Sequence, residues 1–370
     1  MLIKPINGTN GRHRSKAAKP KGLFILDADA FELSYGDEHY KTITSQVEII
    51  AEPQTRESIA RTPELLGPVD YIFSGWGMPT TDRSFLAQAP RLEAIFYAAG
   101  ATGGWITDEV WRRGITVTSA ISANSTAVAE YTLATVLMSL KHAWPLARQT
   151  REQRRFVGRN GAPGCYGSVV GIISLGEIAR QLIALLKPFD LKLIAYDPFV
   201  SDDSAAALGV ERVSLADLFT RADVVSVHTP VFPETLGMIT GKLLQTMKHG
   251  ATLINTARGC IVREAEMISV LSRRPDLQAV LDVTDPIEPP VPESPLYTLP
   301  NVFLTPHIAG SVGSECRRMG RYMVEELQRY QAGEPLKWQV TDDATARNSH
   351  RPINTFLRAP ATGAVAGAAD

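Results

Sequence analysis

Cysteine is scarce. The chain of 370 residues holds three, Cys165, Cys260 and Cys316, far apart, odd in number and without a CxxC pair. That excludes a disulfide framework and a cysteine-rich zinc site, predicts no metal centre, and fits a reducing compartment. Net charge is almost absent as well: 38 Lys+Arg against 39 Asp+Glu give a formal charge of −1. No global basic field exists to hold a polyanion, so no nucleic-acid partner is expected. Long apolar runs are missing too. The best, over 127–140, is interrupted by Glu130, Thr132 and Thr135 and falls short of the ~20 residues of a membrane span. Near the N-terminus Lys4, Arg12, Arg14, Lys16, Lys19 and Lys21 precede no apolar stretch of the secretory kind. The expectation is a soluble cytoplasmic protein with no membrane partner.

Apolar residues make up 44% of the chain and charged residues 21%, proportions of an ordinary globular protein. The length suits two or three domains. Residues 1–20 are basic and polar, and 341–370 are rich in Ala, Thr, Arg and Asn. Neither can bury enough surface to offset chain entropy, so both are expected to be disordered tails. Between them, short apolar runs read as buried strands: 22–26, 71–73, 94–97, 169–173, 192–196, 224–227, 252–255 and 279–282. Helical patterns such as 178–186 and 263–271 lie between most of them. Strand–helix alternation of this kind predicts an α/β fold with doubly wound parallel sheets. It occurs twice, before and after a helical stretch over about 125–153 that Pro145 is expected to kink or break. A second long helix is expected over about 313–330. Two α/β units joined by long helices predict a ligand crevice between them.

The strand 169–173 runs into Ser174, Leu175, Gly176, Glu177, Ile178 and Ala179. This is a GxGxxG fingerprint with Ser for the first Gly and Ala for the third. Gly176 stands where backbone must approach a pyrophosphate, and the following helix would turn its N-terminal N–H groups to the phosphates. Asp197 ends the next strand, 21 residues past Gly176, where an acid accepts hydrogen bonds from the adenosine ribose. A carboxylate there repels a 2′-phosphate, so NAD is the expected cofactor. Ser174 is less free than Gly at such a turn, and Glu177 adds an anion near the phosphates.

Other chemistry-bearing stretches follow strands of the same unit: His228–Thr229–Pro230, then Thr256–Ala257–Arg258–Gly259, then Asp282 with Glu288 in a Pro-rich loop, and Thr305–Pro306–His307 before Ile308, Ala309 and Gly310. With Ala99–Gly100, Asn124 and Val128–Ala129–Glu130, these motifs occur in an order that resembles the D-isomer-specific 2-hydroxyacid dehydrogenases over about 22–337. These are the phosphoglycerate dehydrogenases, hydroxypyruvate/glyoxylate reductases and D-lactate dehydrogenases. The resemblance implies an NAD-dependent oxidoreductase interconverting a 2-oxo acid and a D-2-hydroxy acid. Arg258 would bind the substrate carboxylate as a planar fork, His307 would act as acid/base, and Glu288 would hold and tune that histidine. Family members usually carry this glutamate five residues after the aspartate matching Asp282. Here that position is Ile287 and Glu288 is one further on, so Asp285 is the fallback.

The resemblance further places His228, Thr229 and Pro230 near the adenine side of the cofactor and Asp282 against the nicotinamide carboxamide. Thr256, Ala257, Arg258, His307 and Gly310 complete the expected cofactor contacts. Trp76 and Gly77, with Ala99, Gly100 and Ala101, sit in small-residue loops after strands, where free backbone N–H groups can hold a carboxylate; the resemblance makes them the substrate side. Neither loop carries Lys or Arg, which favours a small unphosphorylated oxo acid. The expected domains are a flavodoxin-like substrate domain of 21–123 plus 311–340 and an inserted Rossmann NAD-binding domain of 124–310. A homodimer through the helix near 125–142 is also implied. A different class of function, an NADH-sensing corepressor-like binding protein with little turnover, is the alternative raised by Ser174, Glu177 and the tails.

Overall fold

A computed structural model describes residues 19–159 and 161–342. The tails expected over 1–20 and 341–370 lie outside the described residues, apart from 19, 20, 341 and 342. Contacts divide the chain into two units. One comprises the described residues up to Ala127 together with those from Gly310 on, and the other is Val128–Ala309.

In the first unit the strands are β1 (Lys21–Ile25), β2 (Glu48–Ile49), β3 (Tyr71–Ser74), β4 (Ala94–Tyr97) and β5 (Thr116–Ser119). In the second they are β6 (Val169–Ile173), β7 (Lys192–Tyr196), β8 (Glu211–Arg212), β9 (Val224–Val227), β10 (Thr252–Asn255), β11 (Gln278–Leu281) and β12 (Val302–Leu304). A last strand, β13 (Gln339–Val340), returns to the first unit. The first sheet has the order β13-β5-β4-β3-β1-β2, parallel except for β13, which pairs antiparallel with β5. The second has the order β12-β11-β10-β9-β6-β7-β8 and is parallel throughout. Strand order therefore reverses between β1 and β3 in one sheet and between β6 and β9 in the other. At such switch points the loops leaving the carboxyl ends diverge and leave room for a ligand.

Both faces of each sheet are covered, which is why the strands read as continuous apolar runs. Leu23, Ile25, Ile72 and Ile95 point into one layer of the first unit, and Phe24, Phe73 and Phe96 into the other. In the second unit Val225, Val227 and Leu253 face one layer, and Val170, Ile172 and Ile254 the other. The sequence pattern passed over β5, because Thr116, Thr118 and Ser119 dilute its apolar signal. The two buried hydroxyls have partners: Ser119 Oγ donates to Gly100 O at 2.8 Å and Thr118 Oγ1 to Met323 Sδ at 3.4 Å.

The expected helix over 125–153 is two helices, Ile121–Leu140 and Ala143–Gln153, separated by His142 at φ 48°. Pro145 kinks neither. It falls in the first turn of the second helix, where its missing N–H costs no helical hydrogen bond. Ala129, Val136 and Leu140 of the first helix are buried in the core of the second unit, while Met138 is exposed.

The helix Cys316–Ala332 closes the first unit against the helix Ala28–Ser34. Its Gly320 has no room for a side chain: a Cβ there would lie 2.0 Å from the Ser34 carbonyl oxygen. Alanine is the better intrinsic helix former, so intrinsic propensity and packing oppose one another at this position. Packing should win, because the obstacle is backbone. Gly320→Ala is expected to lower unfolding free energy by about 1–3 kcal/mol, read from urea denaturation. A variant as stable as the parent would show that the two helices separate freely.

Candidate active site

The turn after β6 is built around an unusual residue. Ser174 adopts φ 72°, the left-handed region normally taken by Gly, at a cost of about 1–2 kcal/mol. Two bonds hold it there. Its N–H donates to Tyr196 O at 2.8 Å, and its Oγ donates to Thr229 Oγ1 at 3.0 Å. The second bond spans the switch point from the β6 turn to the β9 turn. Leu175 is buried, and Gly176 is the exposed N-cap of the helix Glu177–Leu186. A Cβ built on Gly176 meets nothing within 4 Å, so the helix N-terminus opens onto free space. Ile178 is half-buried in the first helical turn, and Glu177 is exposed, accepting from Gln181 Nε2 at 3.4 Å. Asp197 lies buried at the end of β7. One of its carboxylate oxygens accepts from Leu175 N and the other from Phe199 N, both at 2.8 Å. Each oxygen keeps a further lone pair.

Beyond β9 and β10 lie buried polar atoms without protein partners. His228 pairs its Nε2 with Ser226 Oγ at 2.9 Å, but its Nδ1 has no partner, and neither has Thr256 Oγ1. Buried orphans of this kind are rare and call for a partner, such as a water or a ligand. Pro230 is exposed beyond the buried Thr229. An open helix N-terminus, a carboxylate on the second strand tip and unpaired donors and acceptors at the switch point together fit a dinucleotide.

Arg258 is presented by a turn that Asn255 fastens at both sides. Asn255 Oδ1 accepts from Ala257 N at 3.1 Å, and its Nδ2 donates to Arg258 O at 2.9 Å. The guanidinium donates from Nη1 to Ala257 O at 2.6 Å. Burial pulls its pKa down, while Glu288 and Cys260 push the other way. Among the described residues Arg258 enters no ion pair within 4 Å. The next residue, Gly259, carries the loop after β11: a Cβ there would sit 2.0 Å from Thr284 O. That loop brings Glu288 to His307, with Oε1 2.5 Å from Nδ1. Asp285 lies elsewhere. Its N–H donates to Glu264 Oε2 at 2.8 Å.

His307 is itself left-handed, at φ 54°. Asp282 holds the turn. Its carboxylate accepts from Thr305 Oγ1 at 2.6 Å, and from Ile308 N and Ala309 N at 2.8 Å each. In the first unit, Trp76 is exposed in the turn after β3, its carbonyl accepting from Asp27 N at 2.7 Å. Gly77 stands at φ 91°, where a Cβ would meet Asp27 Oδ1 at 2.2 Å. Ala99 is buried, Gly100 half-buried and Ala101 exposed after β4. Gly310 begins the returning segment against Asn124, whose Oδ1 accepts from Ser311 N at 2.9 Å. Arg56 also reaches this rim, donating to Met78 O at 2.9 Å.

Residues 133–309 match the model of the D-isomer specific 2-hydroxyacid dehydrogenase, NAD binding domain. D-3-phosphoglycerate dehydrogenase of Mycobacterium bovis is 33% identical over 255 residues, 69% of this chain and 48% of the relative. That of Bacillus subtilis is 29% identical over 254 residues, 67% of this chain and 47% of the relative. The apo D-mandelate dehydrogenase of Rhodotorula graminis superposes with a TM-score of 0.74 at 25% identity, covering 88% of this chain and 98% of that one. The chain belongs to the D-isomer specific 2-hydroxyacid dehydrogenase family. It spans about half the length of the curated relatives it matches. The NAD-binding domain of this family thus contains the Ser174–Ile178 turn, Asp197, Arg258, Glu288 and His307, and NAD is the cofactor it accommodates.

Motif reading noted Thr305 beside His307 without giving it a supporting role, and it passed over Glu264. Glu264 and Asn255 anchor the loops of Asp285 and Arg258, and Thr305 serves as the link to Asp282. The signal of Glu264 was weak because it acts on a backbone N–H that only the fold brings near. Glu264 is the one with an electrostatic trace: burial raises its pKa against the bond from the Asp285 N–H, which lowers it, while the Asp285 charge adds a smaller rise.

His228 gives a test of the local environment. Burial pushes its imidazole down to about 4 from 6.5. The unfolded chain therefore takes up a proton between those values that the folded chain refuses. Stability is complete above about pH 6.5 and falls as pH drops toward 4, by up to about 3 kcal/mol in all. His228→Asn should flatten this acid limb by about one proton, seen in urea unfolding at pH 7 and pH 5. Equal pH slopes for both proteins would show that His228 titrates normally.

Proposed function

We propose that the chain is an NAD-dependent oxidoreductase interconverting a 2-oxo acid and a D-2-hydroxy acid. The observation that carries this reading is the Glu288–His307 pair at 2.5 Å in the same unit as Arg258. When bound, the nicotinamide gives or takes the hydride. With the carboxylate accepting, Nδ1 of His307 holds its proton, and Nε2 is the nitrogen that exchanges one with the substrate oxygen. Glu288 fixes the ring. Arg258, a half-buried cation lacking an ion-pair partner among the described residues, is suited to a substrate carboxylate, which its planar fork can grip at two points. The cation also draws electrons from the neighbouring carbonyl as hydride arrives.

The loops Trp76–Gly77 and Ala99–Ala101 would offer backbone N–H groups to the substrate. Arg56, the cation at that rim, is already bonded to Met78 O. The reading therefore favours an unphosphorylated oxo acid over the 3-phosphoglycerate for which the mycobacterial relatives are named. A homodimer is part of the proposal. The sensor alternative drew on Ser174, and its left-handed turn is held by Tyr196 and Thr229 without need of Gly.

The test follows loss of NADH absorbance with glyoxylate, hydroxypyruvate, pyruvate, longer 2-oxo acids and phosphohydroxypyruvate. Turnover is expected with at least one unphosphorylated acid, and none with any acid despite NADH binding would sink the reading. His307→Asn should lower kcat by roughly 10²–10⁴-fold with NADH affinity retained. Arg258→Lys should raise KM and lower kcat, because an ammonium lacks the bidentate fork.

A further inference from the structure

Tyr131 stands in the helix Ile121–Leu140. Its hydroxyl lies 3.0 Å from Thr305 Oγ1. Thr305 has one hydroxyl proton, and it goes to Asp282 Oδ1 at 2.6 Å. Asp282 accepts in all its other contacts, from Ile308 N and Ala309 N. The direction of the chain is therefore set by donor chemistry: Tyr131 donates to Thr305, and Thr305 to Asp282. Bonds in such a chain polarise and strengthen one another.

The chain ends beneath a strained residue. His307 N donates to Thr305 O at 3.0 Å, closing a tight turn over Pro306, and His307 then takes its left-handed φ of 54°. That backbone is uncommon for any residue but glycine and persists where surrounding bonds hold it. Thr305 and Asp282 grip the turn on both sides of His307, and Tyr131 grips Thr305. We propose that Tyr131 is a positioning residue that sets the angle at which His307 meets Glu288. This rests on the acid/base reading of His307 given above.

Glu288 from the loop after β11 meets His307, Arg258 from the turn after β10 acts on Glu288, and Asp282 at the end of β11 bonds the N–H groups of the two residues after His307. Tyr131 faces the Thr305 hydroxyl and the charge of Asp282. If the turn loosens, the ring drifts from Glu288 and the bond between Nδ1 and the carboxylate is lost. Loss of packing alone would leave that bond intact.

The experiment uses the full chain with Tyr131→Phe, Thr305→Val and Thr305→Ser. The Nδ1 proton resonance of His307, assigned through His307→Asn, is followed by NMR, and kcat is measured with the best oxo acid. Tyr131→Phe and Thr305→Val are expected to lose or shift this downfield resonance of the Glu288 bond and to lower kcat by roughly tenfold. Thr305→Ser keeps the hydroxyl link and should resemble the parent. An unchanged resonance in both Tyr131→Phe and Thr305→Val overturns the proposal, as does a Thr305→Ser variant as impaired as Thr305→Val. If Tyr131→Phe fails to fold, the Thr305 pair decides. If the parent turns over no oxo acid, the functional reading fails, and the resonance still decides the proposal.

Discussion

The arrangement of the candidate site depends on one buried carboxylate. Asp282 stands 2% exposed at the end of β11, where an unsatisfied charge would cost several kcal/mol. Two backbone N–H groups and the Thr305 hydroxyl satisfy it. Those donors flank His307, so the requirement to solvate a charge without water becomes a requirement on backbone shape. The sequence resemblance gave Asp282 a cofactor contact. The structure gives its oxygens a structural duty that accounts for the turn, and charge-assisted bonds to amides are strong enough to hold a left-handed residue.

The same economy appears at the other end of the site. Ser174, where a glycine is usual, and His307 are both non-glycine residues with positive φ, and both follow strands of the second sheet at their carboxyl ends. Each is fastened through a threonine hydroxyl, Thr229 for Ser174 and Thr305 within the turn of His307. Threonine suits this task. Its one donor and two acceptor positions let it receive from one side and give to the other, while its methyl keeps the rotamer restricted. Strain of about 1–2 kcal/mol per site is small beside the bonds that hold it.

Much of the fold was legible because it depends on local pattern. Eight strands came from short apolar runs, and doubly wound parallel sheets follow from their alternation with helices. The strand Thr116–Ser119 escaped because its polar side chains hide burial that only the partners at Gly100 and Met323 make tolerable. The helix break before Ala143 was placed on Pro145 because proline is the visible breaker, whereas the chain actually turns at His142 in a left-handed conformation. At the site, residue types were legible and supports were not. Glu288 shows why. Counting from Asp282 puts Ile287 at the expected place, but Thr284 Oγ1 donates to Ile287 O at 2.8 Å. That bond closes the loop on itself, turns Ile287 outward to 54% exposure, and lets the next residue take the histidine. Spacing along a chain cannot express a loop that folds back.

Charge completes the account. A chain with a formal charge of −1 has no long-range field to gather an anion, so recognition of one must be local. Arg258 can supply it because it is half-buried. A half-buried guanidinium, with Glu288 engaged by His307, attracts a carboxylate more strongly than one at the open surface. Glu288 lies near both Arg258 and His307, so a single carboxylate ties the cation and the imidazole of the candidate site together, and a loop that moved it would disturb both.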